Sequence, residues 1–168
     1  YCFYNISTSS AEQKKWGALY YWYVVGTNKL APVGWHVPSD SDWTVLETYL
    51  IDNGFNYDGT TNGNKIAKSI AAKTDWQISN TTGAVGNYLN DNNKTGFSAL
   101  PGGFRAPGGS FGFRGDDIVA CYGYWWCVSE DVDNMSASWN RFLYVGYSYL
   151  GRSSDLKSFG MSIRLIRN

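Results

Sequence analysis

Glycine sets the grain of this chain, and it does so unevenly. From Gly96 onward glycines cut the sequence into short apolar pieces, FSALPGGFR, GGSFGFRG and then YGYWWCVSE over 122–130. That is the texture of strands joined by tight turns. Nineteen glycines against four prolines indicate many turns rather than a disordered tract. Upstream the period is helical. Trp16, Leu19, Tyr20 and Tyr23 recur at i, i+3, i+4 and i+7, which predicts a helix over 10–25 with Gly26 just past its end. In GWHVPSDSDWTVLETYL at 34–50, Ser39 stands before a helix and Asp42 lies three residues later, an acidic variant of the capping box. Trp43, Leu46 and Leu50 then form an apolar stripe. A short helix is expected over 65–72. Helices first and strands last is the order of an α+β domain, here a single domain spanning 1–168.

Composition narrows the function. Lysine plus arginine equals aspartate plus glutamate, 14 each, whereas a nucleic-acid binder is normally basic. The same balance gives no reason to expect an anionic membrane partner. No apolar run approaches the roughly 20 residues that span a bilayer; the best, GALYYWYVVG at 17–26, is short and carries tyrosines. No direct membrane insertion is expected. The chain begins at Tyr1 without a methionine and reads as a domain excised from a longer protein.

Catalytic and metal chemistry find little to use. Residues 52–64, DNGFNYDGTTNGN, have the wrong acidic spacing for a calcium loop and too few residues between Gly59 and Gly63 for a phosphate loop. They read as a polar surface loop. His36 is the only histidine, so histidine-based metal sites are excluded and a structural role is expected. Cys2, Cys121 and Cys127 form no CxxC pair. Two readings stay open for them: a Cys2–Cys121 bridge, or three unpaired thiols. The adjacent acids Asp116-Asp117 and Glu130-Asp131 point to opposite faces of any strand and make poor acid–base pairs. Asn-x-Ser/Thr sites begin at Asn5, Asn80, Asn93 and Asn134 and matter only in a glycosylating source. No catalytic residue, no cofactor and no metal are predicted, and the chain is not read as an enzyme.

The C-terminal stretch WNRFLYVGYSYLGRSSDLKSFG, 139–160, is of another kind. Trp139, Leu143 and Val145 alternate with Asn140, Phe142 and Tyr144, and Tyr147 and Tyr149 follow. Met161, Ile163 and Leu165 alternate again. The pattern points large aromatics outward.

Several motifs in order, GWHVPSDSDWTVLETYL, GFSALPGGFR, YWW with SE shortly after, and the terminal KSFGMSIRLIRN, resemble the Fibrobacter succinogenes major paralogous domain. That family is similar to the C-type lectin-like superfamily, near its formylglycine-generating-enzyme-like branch. The resemblance implies two helices packed on a small twisted antiparallel sheet, with long irregular loops. Tyr1 to Tyr4 would be the remnant of a further N-terminal strand. The chain lacks EPN and QPD, and SWNR at 138–141 is not WND, so a calcium-bridged sugar site does not carry over. Nor does oxidase chemistry, since no cysteine pair matches a copper site. The family context implies a secreted or bacterial cell-surface protein, or a phage receptor-binding protein.

The resemblance extends to variable proteins of diversity-generating retroelements, in which AAC codons of a template are copied as NNC. Trp139, Arg141, Leu143, Arg152, Lys157, Ser158 and Gly160 stand where such proteins keep a fixed frame. Asn140, Phe142, Tyr144, Gly146, Tyr147, Tyr149, Gly151, Ser153, Ser154, Asp155, Leu156 and Phe159 lie between them, and an NNC codon reaches every one. Cys127 and Val128 extend the candidate contact set, and Asp131 to Asp133 are further candidates. The candidate variable region is 125–168. Tyr and Phe supply rigid contact area at low entropic cost while Ser, Gly and Asn adapt, as in a paratope. Trp16, Trp35, Trp43, Trp125 and Trp139 are expected to hold the scaffold. The expected partner is a protein or a surface glycan. The alternative is a fixed surface module of the same family.

Overall fold

A computed structural model describes residues 1–3, 7–112 and 121–168. Asn5, the Asp116-Asp117 pair and the end of GGSFGFRG lie outside the described residues. The fold is α+β, with a few helices and small antiparallel sheets. Strand β1 (Cys2–Phe3) pairs with β2 (Ala18–Tyr21), which pairs in turn with β7 (Gly160–Met161). Strand β3 (Trp35–His36) pairs with β8 (Ile166–Arg167). The main sheet is β4 (Tyr122–Glu130), β5 (Ala137–Tyr144) and β6 (Gly151–Leu156), in that order.

The helix expected over 10–25 is divided. Helix α1 (Ser10–Trp16) ends at Gly17, whose φ of +72° only glycine adopts readily. Residues 18–21 become β2, and a single turn, α2 (Trp22–Val25), follows. Leu19 and Trp22 are buried, whereas Tyr23 is exposed. The aromatic and β-branched content here favours extended backbone once neighbouring strands are available. Helix α3 (Asp40–Asp52) follows its sequence signals. Ser39 Oγ accepts from the Asp42 amide at 3.1 Å, and the Asp42 carboxylate accepts from the Ser39 amide at 2.8 Å. Trp43 and Leu50 are buried on its inner face. The third helix shrinks to one buried turn, α4 (Ala67–Ile70). The loop between α3 and α4 is organised by Asn56, fully buried, whose side chain bonds Thr60 O, Gly63 O and the Lys65 amide.

Two apolar clusters sandwich the main sheet. Trp125, Leu143 and Val145 join Trp43, Ile70 and Trp76 in the larger. Trp126, one residue on and therefore on the opposite face, joins Trp22, Val25 and Met161 in the smaller. The expected tryptophan scaffold is corrected accordingly. Trp35 is 44% exposed, Trp16 is half-buried, and Trp22, Trp76 and Trp126 take core places instead. The indole N–H groups of Trp22, Trp76 and Trp126 donate to Cys127 O, Ala99 O and Tyr20 O. The terminal alternation is real, since Met161 is buried and Ile163 and Leu165 pack on the smaller cluster. Only 160–161 and 166–167 form strand there.

Helix and sheet are tied by charge. Arg141, 1% exposed, donates to the Asp40 carboxylate, to Asp40 O at 3.1 Å and to Thr44 Oγ1 at 3.2 Å. Arg152 bonds the same carboxylate at 2.9 and 3.0 Å and lies 3.4 Å from the Trp139 ring centroid. Burial raises the Asp40 pKa, but the bonds from Arg152 and Arg141 more than offset this and hold it below the usual value. A register shift in β4 between Trp126 and Glu130 turns the strand toward α3. There Ser129 Oγ accepts from the Asp40 amide at 3.0 Å.

Candidate functional site

Pairing register decides which side chains share a face. Tyr122 sits opposite Tyr144, Tyr124 opposite Phe142, and Trp126 opposite Asn140. Across the next pair, Phe142 meets Gly151, Asn140 meets Ser153, and Ser138 meets Asp155. One face therefore carries Asn140, Phe142, Tyr144, Gly151, Ser153 and Asp155, with Tyr122 and Tyr124 from β4. The opposite face carries the frame residues Trp139, Arg141, Leu143 and Arg152 against the larger cluster.

The rings form one connected strip. Phe142 lies 5.7 Å from Tyr124, Tyr124 stacks 5.7 Å from Tyr122, and Tyr122 lies 4.6 Å from Tyr144. Tyr147 meets Tyr144 edge-on at 4.8 Å and stacks on Tyr149 at 4.7 Å. Tyr147 and Tyr149 are 40% and 39% exposed. Ring faces turned toward one another leave edges and hydroxyls outward. Burial, then the neighbouring phenols, raise the Tyr122 and Tyr149 pKa above the usual tyrosine value, and burial raises that of Tyr124 further. Tyr122, Tyr124 and Tyr149 are therefore uncharged at neutral pH.

The loop that presents Tyr147 and Tyr149 is fixed through its backbone. Tyr147 O, Ser148 O and Val145 O accept from the amides of Val85, Ala67 and Gly86 at 3.0, 3.1 and 2.9 Å. Asn64 closes the end, bonding Leu150 N and Leu150 O at 3.0 and 2.9 Å. These anchors use residues 64, 67, 85 and 86 and no side chain between 146 and 149. The anchors therefore do not depend on the side chains at 147, 148 and 149.

Not all expected contact residues join this face. Cys127 is 0% exposed in the larger cluster, because it follows Trp126 on the inward side of β4. Asn140 is also 0% exposed, opposite the buried Trp126, and donates to Asp155 Oδ2 at 2.9 Å. Gly151 is buried under Phe142, and a Cβ there would stand 2.2 Å from the ring. Gly146 is similarly coupled to Tyr144, at 2.9 Å. Val128 and Phe159 pack on the smaller cluster, Phe159 at 5.7 Å from Phe104. Ser154 and Leu156 point to the far side. Ser154 donates to Asp131, which is itself buried, and Leu156 is exposed. Sequence reading missed Tyr122 and Tyr124. The signal was present in YGYWWC, where two tyrosines share parity while Gly123, Trp125 and Cys127 take the other.

All three cysteines are free thiols. Among the described residues no group of three metal-ligating side chains converges, and no helix is long and apolar enough to cross a membrane. Glu130 pairs with the buried Lys157 at 2.6 Å.

The family model of the Fibrobacter succinogenes major domain matches residues 2–167, so the chain belongs to that family. No curated protein and no solved structure matches the chain.

Proposed function

We propose that this member of the Fibrobacter succinogenes major domain family is a ligand-binding domain with a C-type lectin-like fold. Its aromatic sheet face is a contact surface diversified by a retroelement. The observation that carries the reading is the separation of duties. Arg141, Leu143 and Lys157, read as frame, are buried and hold the fold. Phe142, Tyr144, Tyr147 and Tyr149 form a partly exposed strip on a backbone that their side chains do not anchor. A rigid scaffold with exchangeable contacts is what a changeable binding site requires. The fold proposal rests on the α+β content, the small antiparallel sheets and the long irregular segments. The partner is a protein or surface glycan, met at a bacterial cell surface or on a phage particle, and the domain performs no chemistry.

A displayed library tests this. Positions 142, 144, 147, 149, 153 and 155 are randomised with NNC codons and selected against an arbitrary folded protein. Binders from a library that stays folded are expected. A library that mostly unfolds, or that yields no binder where a paratope library of equal size does, overturns the proposal.

A further inference from the structure

A concavity of about 570 Å³ lies in the segment between α4 and β4, lined chiefly by Ile78, Asn80, Asn87, Tyr88, Asn90 and Asp91. Small-molecule sites span ~300–1,000 Å³. The Ser79 amide donates to Gly86 O at 3.0 Å and joins its two rims. A buried lysine holds it from below. Lys68, 7% exposed, donates to Asn87 O, to Tyr88 O at 3.3 Å and to Asn92 Oδ1 at 2.9 Å. Asn92, also buried, donates to Ala72 O and Val85 O, both at 3.0 Å. A satisfied buried network of this kind rigidifies the segment above it.

What the network holds outward is a ring. Tyr88 is 76% exposed and has φ +49°, a left-handed conformation that is uncommon for a bulky side chain and clusters at functional sites. Among the described residues no other ring stacks on it, unlike Tyr147 and Tyr149 on the sheet face. Ile78, also 76% exposed, adds apolar surface. Asn80, Asn90 and Asp91 are exposed, and their side chains have no hydrogen-bond partner among the described residues. Asn87 donates to Ser79 O at 3.3 Å through Nδ2, which leaves its side-chain oxygen to accept. The polar lining is therefore mostly amide, which both donates and accepts and carries no charge.

We propose that this concavity binds a neutral pyranose unit of a glycan. A pyranose with equatorial hydroxyls has flat C–H faces and a rim of groups that donate and accept. The Tyr88 ring face covers a C–H face. The amides of Asn80, Asn87 and Asn90 and the Asp91 carboxylate take the hydroxyls. A peptide fits less well, because the lining residues offer no cation for a terminal carboxylate and no strand edge for backbone pairing. The site uses no residue of the aromatic strip, so it goes beyond the proposed contact surface and does not depend on it.

The probes are methyl β-D-glucoside, methyl β-D-galactoside and methyl α-D-mannoside, with sorbitol as a polyol that lacks a flat C–H face. Each is titrated into the whole chain and followed by the Asn80 and Asn90 side-chain amides in a nitrogen–proton correlation spectrum. At least one glycoside is expected to saturate, and to bind about threefold to tenfold more tightly than sorbitol, the worth of one aromatic contact. Tyr88→Asn keeps a residue that adopts the left-handed conformation and is expected to remove that preference, while Tyr88→Phe keeps the ring and retains it. Asn90→Ala removes a side chain that anchors nothing described, and should weaken the same glycoside about twofold to tenfold with the remaining spectrum unchanged. No saturation by any of the three glycosides overturns the site, as does binding no tighter than sorbitol. Wild-type affinity in both Tyr88→Asn and Asn90→Ala overturns it too. Blocked glycine (N-acetyl-glycine methylamide) binding as tightly as the best glycoside overturns the sugar in favour of a peptide.

Discussion

Replacing Asp40 by Asn tests the lock beneath the contact face. Arg141 is buried, and among the described residues Asp40 supplies the one carboxylate it pairs with. Removing one member of a buried ion pair costs about 3–5 kcal/mol. Two features reduce that here. The Asp40 side chain is 23% exposed, and Arg141 keeps its bonds to Asp40 O and Thr44 Oγ1. The exposed Arg152 pair contributes about 1 kcal/mol or less. A loss of about 2–3 kcal/mol is expected, which for a chain of this size lowers Tm by about 5–10 °C. Thermal unfolding by circular dichroism measures it. Adding Arg141→Met removes the stranded cation, so the double variant should lose about 1–2 kcal/mol less than the sum of the single losses. The pH dependence has a fixed sign. The folded Asp40 pKa lies below its unfolded value, so its stabilisation is complete above the unfolded carboxylate range, about pH 3.9, and is lost as pH falls through the folded value. The gap between wild type and Asp40→Asn should therefore narrow in acid. A variant within 1 °C of wild type, or a gap that widens on acidification, refutes the reasoning.

Thiol chemistry should separate the three cysteines. Burial pushes Cys127 up to about 12 and raises Cys121, so a disulfide reagent at pH 8 should titrate Cys2 alone until denaturant is added. Leu143→Ala should cost about 2–5 kcal/mol as a core cavity, while Tyr149→Ser should cost about 1 kcal/mol, the worth of one partly exposed stacked pair. Urea titration of both variants reads the contrast. Gly151→Ala should displace the Phe142 ring at a cost of about 1–3 kcal/mol, and Phe142→Ser in the same chain should relieve most of it. Lys65 draws Asp58 down to about 2, so carbon-detected titration of Lys65→Met should return that carboxyl toward its ordinary value.

Local signals in the sequence were legible where one short segment settles the outcome. Ser39 and Asp42 cap α3 because the capping box closes within four residues. The alternation of Phe142 and Tyr144 against Leu143 and Val145 survives because β-strand parity is a local property. What escaped depends on distant partners. The apolar stripe over 10–25 looked continuous, but β1 and β7 recruit residues 18–21 into a sheet. Parity places Asn140 on the aromatic face, yet it is fully buried there opposite Trp126, a residue of the distant strand partner. Gly151 fits an exchangeable position by codon and is buried only because Phe142, on another strand, folds across it. Residue type alone marks Trp35 as scaffold, but its short two-residue strand leaves it exposed.

The central claim is that the chain divides into a fixed frame and an exchangeable contact face. The most direct test is to sequence the encoding DNA with its flanks and to search for a second copy of the segment coding for 125–168. The account predicts such a copy, with AAC where the codons for Phe142, Tyr144, Tyr147, Tyr149, Ser153 and Asp155 differ, and identity at Trp125, Trp126, Arg141 and Leu143. Absence of a copy, or differences that fall on the buried frame, would contradict it.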